Sequence, residues 1–228
     1  MQKTLAIIPA RGGSKSIKRK NVAILAGRPL IAWTIDCALS CAALDRVIVS
    51  TDDLEIATVA RQYGADTPFM RPASLARDEA AMIDVIQHAV ATVEHGDERF
   101  DVVVLLQPTS PLRNADDIEA CIEPVRARRN SAAMTVCEAE HNPFCSMGQI
   151  VDQRWLPLFP KHHGETTRRQ DAPVVYRETG AVFVWRRCVV MDQRTLCPPD
   201  ICLVVTPAER SLDIDSLAGM KVAEVLLR

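Results

Sequence analysis

The sequence has few of the patterns that mark membrane, secreted or metal-cluster proteins. Among its 228 residues, no apolar run approaches the roughly 20 residues needed to cross a membrane. The opening MQKTLAIIPAR holds too few apolar residues before Arg11 for a signal peptide, so we expect a cytoplasmic protein that does not bind membranes. The eight cysteines form no CxxC pair and the five histidines form no HExxH motif. A disulfide framework is therefore not expected.

The chain also has no large excess of either charge. Its net charge of −2 and its charged fraction of 25% are ordinary for a globular protein and argue against broad nucleic-acid binding. Any basic binding site must be local, and we expect no nucleic-acid partner. With 48% hydrophobic residues, the chain can bury one sizeable core, so we assign residues 1–228 to a single domain.

Strand-like and helix-like segments alternate through most of the chain. Short runs of β-branched and apolar residues predict buried strands at 5–10, 46–51, 102–107, 132–137, 180–187 and 201–205. Helical periodicity predicts helices at 29–38, 53–63, 78–94, 114–129 and 216–228. Alternation in units this short predicts an α/β fold with a mostly parallel sheet flanked by helices.

The pattern changes after residue 140. The stretch 141–171 is polar and lacks clear periodicity, which predicts an irregular segment, yet it carries Trp155, Leu156, Leu158 and Phe159. Exposed apolar side chains of this size usually mark an interface. We therefore expect a two-fold homodimer in which this extension packs on the partner and helps to close its binding site.

A basic loop that contains two glycines follows the first predicted strand. IIPARGGSKSIKRKN places five basic residues within positions 11–20, but it matches neither GxGxxG nor GxxxxGK[ST]. Glycines let the backbone approach a ligand, arginine offers a planar fork and lysine offers a point charge. The loop suits a triphosphate, and a solvated basic turn is the alternative. We expect Lys18 and Arg19 to face solvent.

A pair of carboxylates lies near the end of the chain, in SLDID at 211–215. Residues two apart in an extended segment point to one face, so Asp213 and Asp215 would lie side by side. Two carboxylates completed by substrate phosphates are a common Mg²⁺ arrangement. The alternative is a helix N-cap at Asp215 with a solvated Asp213.

Two further stretches precede or follow predicted strands. QPTSPLR at 107–113 follows the most apolar strand, and ligands in open α/β sheets bind beyond the carboxyl ends of the strands. RRQD at 168–171 and YRETG at 176–180 add arginines before a later strand. A binding role and a surface charge run are both open for these arginines.

These stretches together resemble one family. IIPARGGSK, KRKN, RVIVSTDD, MRPASLARD, VVLLQPTSPLR, RRQDAPVVYRETGAVFV and RSLDID occur in the order found in acylneuraminate (CMP-sialic acid or nonulosonic acid) cytidylyltransferases. The resemblance spans nearly the whole chain and implies a Rossmann-like nucleotidyltransferase fold, Mg²⁺ and a homodimer. It also implies a reaction in which CMP passes from CTP to the anomeric hydroxyl of a nine-carbon 2-keto acid, N-acylneuraminate or a relative, with release of pyrophosphate.

The resemblance assigns site roles by motif position. At the nucleotide it implies Arg11, Gly12, Gly13, Ser14, Lys15, Lys20, Asn21, Arg71 and Gln107. At the sugar acid it implies Gln107, Thr109, Ser110, Arg113, Arg169 and Arg177, with 141–171 as an extension toward the sugar site. Arg11, Lys15, Asp213 and Asp215 would be catalytic, and the two aspartates would bind the metal. The base that takes the anomeric proton stays open between a metal-bound hydroxyl and either carboxylate.

Departures from the family pattern leave the sugar open. Met82, Thr179 and Phe183 stand where a small hydroxyl residue, an asparagine and, in some members, a tyrosine are common. Relatives that act on legionaminic or pseudaminic acid share the same motifs. The remaining alternatives, in decreasing order, are an eight-carbon octulosonate cytidylyltransferase, and then a GT-A type glycosyltransferase or a non-catalytic nucleotide-binding module.

Overall fold

The computed structural model describes residues 2–94, 98–159 and 172–227, and these residues form ten strands and six α-helices. The strands are β1 Thr4–Pro9, β2 Ile24–Leu25, β3 Arg28–Pro29, β4 Arg46–Ser50, β5 Val102–Leu106, β6 Ala132–Glu138, β7 Gly148–Val151, β8 Arg154–Pro157, β9 Tyr176–Arg186 and β10 Ile201–Val205. The helices are α1 Leu30–Ser40, α2 Leu54–Gln62, α3 Met82–Val93, α4 Ala115–Arg126, α5 Arg187–Met191 and α6 Leu217–Leu226.

Six of the strands form one central sheet in the order β10-β6-β9-β5-β1-β4. β1 pairs in parallel with β4 and β5, and β6 pairs in parallel with β10, whereas β9 runs antiparallel between β5 and β6. The predicted α/β fold with a mostly parallel sheet is therefore confirmed. β9 begins at Tyr176, earlier than the strand predicted at 180–187.

Both faces of the sheet are covered, which explains why its central strands are apolar throughout. In β1, Leu5 and Ile7 belong to one core cluster, which also contains residues of α3 and α5. Ala6 and Ile8 belong to a second cluster, which contains residues of α1, α2 and α4. Alternating side chains of a strand point to opposite faces, so a strand covered on both faces must be apolar at every position.

Side-chain caps define where two helices begin. Asp53 accepts hydrogen bonds from the amides of Glu55 (2.9 Å) and Ile56 (3.0 Å) at the start of α2. Asn114 and Asp117 form the capping box of α4 that their spacing predicts. α3 begins at Met82 rather than near residue 78. Residues 78–81 instead form a turn, in which Asp78 pairs with Arg11 and Lys15 of the loop after β1.

The stretch 141–171 contains a regular element that periodicity does not reveal. β7 and β8 form an antiparallel hairpin, so the expectation of an irregular segment is wrong for residues 148–157. Large apolar side chains on it are exposed, with Ile150 at 78% and Trp155 at 58% of full accessibility. A hairpin exposed on both faces has no apolar–polar alternation to detect. Residues 160–171 lie outside the described part of the chain.

The cysteines and the helix lengths of the described residues bear on the disulfide and membrane expectations. All eight cysteines lie in the described residues and are free thiols, as expected. Among the described helices, none combines the length and apolar character that a membrane crossing requires.

Candidate active site

A cleft of about 330 Å³ opens at the carboxyl ends of β1 and β5. These strands are parallel neighbours, so the loops that follow them meet at the same edge of the sheet. The cleft is lined by Pro9, Arg11, Ser14, Lys15, Ser16, Lys20, Asn21, Met82, Gln107, Pro108, Thr109 and Asp215. The basic loop, the turn after β5 and one of the two late carboxylates thus share a single cavity.

The basic loop is fixed by contacts with the segment after β4. The amide of Gly12 donates to Asp52 Oδ1 at 2.9 Å. A Cβ atom at Gly12 would lie 2.8 Å from Asp53 Oδ2 and 3.0 Å from Asp53 Cβ. Asn21, which is buried, donates from Nδ2 to the carbonyl of Arg11 at 2.9 Å. The path of the loop therefore requires glycine at position 12 and holds the Arg11 backbone in place.

Arg19 is part of this frame, although its side chain is still 40% exposed, so the expectation that it faces solvent holds only in part. Its Nη2 donates to both carboxylate oxygens of Asp53, at 3.0 and 3.1 Å, and it also pairs with Glu55. Its backbone is left-handed, with φ of 52°. Its guanidinium contacts Asp53 and Glu55 at the start of α2. Lys18, by contrast, is exposed as expected.

Arg11 and Lys15, the two cations assigned to the phosphates, both pair with Asp78. Asp78 lies in the turn before α3, and hydrogen bonds from Lys15 and then Arg11 lower the pKa of its carboxyl. The sequence assigned no role to this aspartate, although it lies within the MRPASLARD motif. Its contact with the loop depends on the fold, which brings the turn before α3 alongside the end of β1.

The two late carboxylates lie on one face of an extended segment. Ile214 between them is fully buried and packs in a third cluster with Ile17 and Leu25. Asp213 and Asp215 consequently point away from that cluster, as their i, i+2 spacing predicts. The N-cap of α6 is Ser216, whose hydroxyl accepts from the amide of Gly219 at 3.1 Å. The alternative of a helix cap at Asp215 is therefore excluded.

Asp213 and Asp215 lie in different environments, the first partly buried and the second exposed. Burial raises the pKa of Asp213, and the negative charge of Asp215 adds to the rise, whereas a hydrogen bond with Thr109 opposes it. Asp215 is 76% exposed in its side chain and lies 3.2 Å from Lys20 Nζ. The same ammonium donates to the carbonyl of Ile214 at 2.9 Å. Lys20 thus joins the basic loop to the carboxylate segment.

The carboxylate oxygens of Asp213 and Asp215 suit a metal ion that takes most of its ligands from water and substrate and few from the protein. Asp213 Oδ1 is buried and has no hydrogen-bond partner among the described residues. Within the described part of the chain, no group of three or more histidine, cysteine, aspartate or glutamate side chains could form a complete metal site. Mg²⁺ suits such a pair, because it commonly binds through one or two carboxylates together with waters and substrate phosphates.

Several hydrogen bonds hold the carboxylate segment against the rest of the site. The amide of Ile214 donates to the carbonyl of Thr109 at 2.8 Å, and Arg177 Nη2 donates to the carbonyl of Ser211 at 2.9 Å. Arg210 pairs with Asp117 at 2.9 Å, inside the capping box of α4. The turn after β5, strand β9 and helix α4 therefore all fix the position of residues 211–215.

Other predicted site residues are buried behind the cleft. Arg71 donates from Nε to Ser50 Oγ at 3.0 Å, and burial lowers its pKa to about 10. Arg113 donates to Thr34 Oγ1 at 2.9 Å and to the carbonyl of Gln107, and burial likewise lowers its pKa to about 10. Ser110 is fully buried. These three side chains support the cleft in this structure, whereas Arg177 is exposed and Arg169 lies outside the described residues.

A second cavity of about 210 Å³ adjoins the first and shares Met82 and Gln107 with it. The other residues that line it are Leu105, Met134, Glu178, Phe183, Trp185, Leu196 and Cys197. Its wall is largely apolar, and the rings of Phe183 and Trp185 stack at 5.8 Å between centroids. An apolar pocket with one carboxamide and one carboxylate suits a small organic ligand that carries both apolar and polar groups.

An irregularity in β9 shapes the wall between the two cavities. The pairing of β9 with β6 shifts between Met134 and Val136. At this point Gly180 has a positive φ of 72° and passes close to the Gln107 side chain. The hydroxyls of Thr135 and Thr179 lie 2.6 Å apart. The Thr179 hydroxyl also donates to the carbonyl of Thr135, and the Thr135 hydroxyl accepts from the amide of Val182, so side chains replace the ladder bonds that the shift removes. β-bulges commonly redirect side chains beside functional sites, and this one brings β9 against Gln107.

The fold and the cleft define a class of protein: an α/β protein with a basic, glycine-containing loop and paired carboxylates at the carboxyl edge of its sheet, where such folds bind phosphorylated ligands. A sequence profile described as "Cytidylyltransferase" matches residues 5–193. The chain therefore belongs to the cytidylyltransferase family.

Individual relatives agree with this membership. The chain is 31% identical over 226 residues to a pseudaminic acid cytidylyltransferase of Campylobacter jejuni, covering 99% of this chain and 97% of the relative. It is 31% identical over 224 residues to a CMP-N,N'-diacetyllegionaminic acid synthase of Legionella pneumophila, covering 98% and 95%. A solved CMP:2-keto-3-deoxy-manno-octonic acid synthetase, complexed with CTP, shares the fold with a TM-score of 0.71 at 18% identity, covering 99% and 98%.

The two glycines of the loop provide a matched test of its geometry. We predict that Gly12→Ala lowers the free energy of unfolding by about 1–3 kcal/mol, because the new methyl group would collide with Asp53 at the start of α2. Gly13→Ala should change it by less than about 0.5 kcal/mol, since no described atom lies within 4 Å of a Cβ placed there. Urea unfolding of both variants measures the difference, and equal losses would contradict the close approach at Gly12.

Proposed function

We propose that this protein transfers CMP from CTP to the anomeric hydroxyl of a nine-carbon 2-keto sugar acid, releasing pyrophosphate and giving the CMP-activated sugar. Family membership supports the nucleotide chemistry, and the names of the similar relatives support the type of acceptor. The observation that carries the proposal is the single cleft in which Lys20 joins the basic loop to Asp215. A triphosphate and its metal need both kinds of charge in one place.

The residues of the loop have distinct roles in this proposal. The cations Arg11, Lys15 and Lys20 would bind the phosphates, with the backbone of Gly12 and Gly13 giving room for close approach. Such contacts accelerate the reaction where they stabilise the charge that develops on the departing pyrophosphate. Phosphoryl-type transfer depends mainly on positioning and charge, so no covalent intermediate with the protein is needed.

We propose Mg²⁺ as the cofactor, with Asp213 and Asp215 as its protein ligands. The buried Asp213 Oδ1 that lacks a hydrogen-bond partner among the described residues supports this assignment. When bound, the ion would supply positive charge to the phosphate oxygens. The protein's own part is to hold the two carboxylates on one face, through the buried Ile214 and the hydrogen bond from its amide to Thr109.

We propose that the acceptor occupies the second cavity, beside the nucleotide cleft. Gln107 lines both cavities, so its carboxamide is placed to orient the acceptor against the nucleotide. The largely apolar wall formed by Phe183 and Trp185 suits acetyl groups, and one relative is named for a diacetylated acid. This favours a pseudaminic- or legionaminic-type acid, with N-acylneuraminate as the alternative. Arg177 does not line this cavity, but it is exposed and adjoins Glu178, which does; we propose its guanidinium for the sugar carboxylate.

A pyrophosphate-release assay with CTP and a panel of sugar acids tests the proposed function. We expect turnover with CTP and a diacetylated nine-carbon acid, slower turnover with N-acylneuraminate, and little with an eight-carbon octulosonate. CTP without an acceptor should release no pyrophosphate. Binding of CTP without turnover on any acid would instead identify a non-catalytic nucleotide-binding protein.

The same assay can use a matched pair of variants. Asp215→Asn should reduce turnover by at least about 100-fold, the size expected for loss of a preorganised electrostatic contact. Glu209→Gln removes one negative charge nearby in the chain, at an exposed position outside the cleft, and should leave turnover near that of the unmodified protein. Similar rates for the two variants at saturating Mg²⁺ would remove Asp215 from the mechanism.

We propose that the protein is a homodimer that uses the 141–171 extension. The exposed apolar side chains of the β7–β8 hairpin support this, since a surface of this kind usually lies at an interface. Light scattering at micromolar concentration should give the mass of a dimer, and the double variant Ile150→Glu, Trp155→Glu should shift it toward the monomer. A monomeric unmodified protein with full activity would contradict the proposal.

We propose the cytoplasm as the compartment. The eight cysteines are free thiols, which fits a reducing environment.

A further inference from the structure

One carboxylate engages both cations that the proposed function assigns to the triphosphate. Asp78 forms an ion pair with Arg11 through one oxygen and with Lys15 through the other. It reaches them from the turn that links the 3₁₀ segment Ala73–Leu75 to α3. A carboxylate that bridges two cations through separate oxygens makes the type of contact that neighbouring phosphate oxygens would make.

The charges around this bridge explain why a counter-ion is needed. Arg11 lies near the buried Arg71, whose pKa is lowered first by burial and also by the positive charge of Arg11. Asp52 partly offsets this repulsion. Asp78 adds a negative charge on the side of Lys15, and the hydrogen bonds from Lys15 and Arg11 lower its pKa. The carboxylate is therefore ionised at neutral pH and holds two cations together that would otherwise repel each other.

The bridge is accessible enough to be exchanged for a ligand. The side chain of Lys15 is 80% exposed, and those of Arg11 and Asp78 are about one third exposed, at 35% and 32%. Ion pairs in contact with water are weak, because the solvent competes for both partners. A polyanion could therefore take the place of Asp78 without disrupting any buried part of the fold.

We propose that Asp78 is a positioning residue that competes with the triphosphate: its carboxylate holds Arg11 and Lys15 side by side, and the phosphates of CTP take its place. This inference rests on the proposed function, because it requires CTP to bind at the loop. When CTP binds, its phosphates would replace the ion pairs that Arg11 and Lys15 already make with Asp78. Only the difference between the two sets of contacts favours nucleotide binding. Removing the charge of Asp78 should therefore strengthen CTP binding.

The chain offers a matched control at the next position. Glu79 is exposed and forms no ion pair within the described part of the chain. Asp78→Asn and Glu79→Gln each remove one negative charge at almost the same place. A general change in the electrostatic field would affect both variants alike, whereas loss of the bridge affects only Asp78→Asn.

The experiment is a calorimetric titration of the full chain with CTP and Mg²⁺, without a sugar acid. Asp78→Asn should bind CTP about two- to fivefold more tightly than Glu79→Gln, the range expected when one exposed ion pair no longer competes. In turnover assays its KM for CTP should fall, and kcat should change by a smaller factor than KM. In a Lys15→Ala background the gain from Asp78→Asn should shrink, because one of its two partners has been removed.

Failure of this inference and failure of the proposed function would give different results. Equal or weaker CTP binding by Asp78→Asn than by Glu79→Gln would overturn the inference and show that Asp78 only supports the loop. An undiminished gain in the Lys15→Ala background would also overturn it, because the effect would not pass through Lys15. If the unmodified protein failed to bind CTP, the proposed function itself would fail, and thermal unfolding of each variant would confirm that the proteins compared are folded.

Discussion

Lys20 joins two segments of the site that lie far apart in the chain. Its Nζ donates to the carbonyl of Ile214 at 2.9 Å and lies 3.2 Å from Asp215 Oδ1, and its side chain is only 12% exposed. An ammonium in this position satisfies a backbone acceptor and neutralises a carboxylate at once. Because Lys20 belongs to the same loop as Arg11, the contact places the basic loop and the carboxylate segment around one cleft. The rest of the site depends on that juxtaposition.

Apolar packing fixes the geometry that this charged contact requires. Ile17 from the loop and Ile214 from the carboxylate segment are buried in the same cluster, together with Leu25 and Leu30. Full burial of one such side chain contributes about 1.5–3 kcal/mol. This offsets the cost of holding two carboxylates side by side, which burial and the neighbouring charge both increase. The charged site is thus held in place by a small hydrophobic cluster at the edge of the sheet.

The sequence allowed the architecture to be predicted because the main elements have local periodicities. The i, i+2 spacing of Asp213 and Asp215, with Ile214 between them, was sufficient to predict a shared face, and the structure agrees. The direction of β9 was not predictable, since a β-branched run is the same in parallel and antiparallel strands. Nor was the inward orientation of Arg113, because composition shows that a charge is present but not which way the side chain turns. The bridge formed by Asp78 depends on tertiary contacts alone.

In the proposed mechanism, the basic loop and the two aspartates bind one triphosphate together. A crystal structure of the protein with a non-hydrolysable CTP analogue and Mn²⁺, which gives an anomalous signal, tests it most directly. We expect the triphosphate to contact Arg11 and Lys15, with an anomalous peak at Asp213 and Asp215. The analogue bound elsewhere, for example in the cavity of about 620 Å³ beside Trp33, with no peak at the two aspartates, would show that the loop and the carboxylates do not share one triphosphate site.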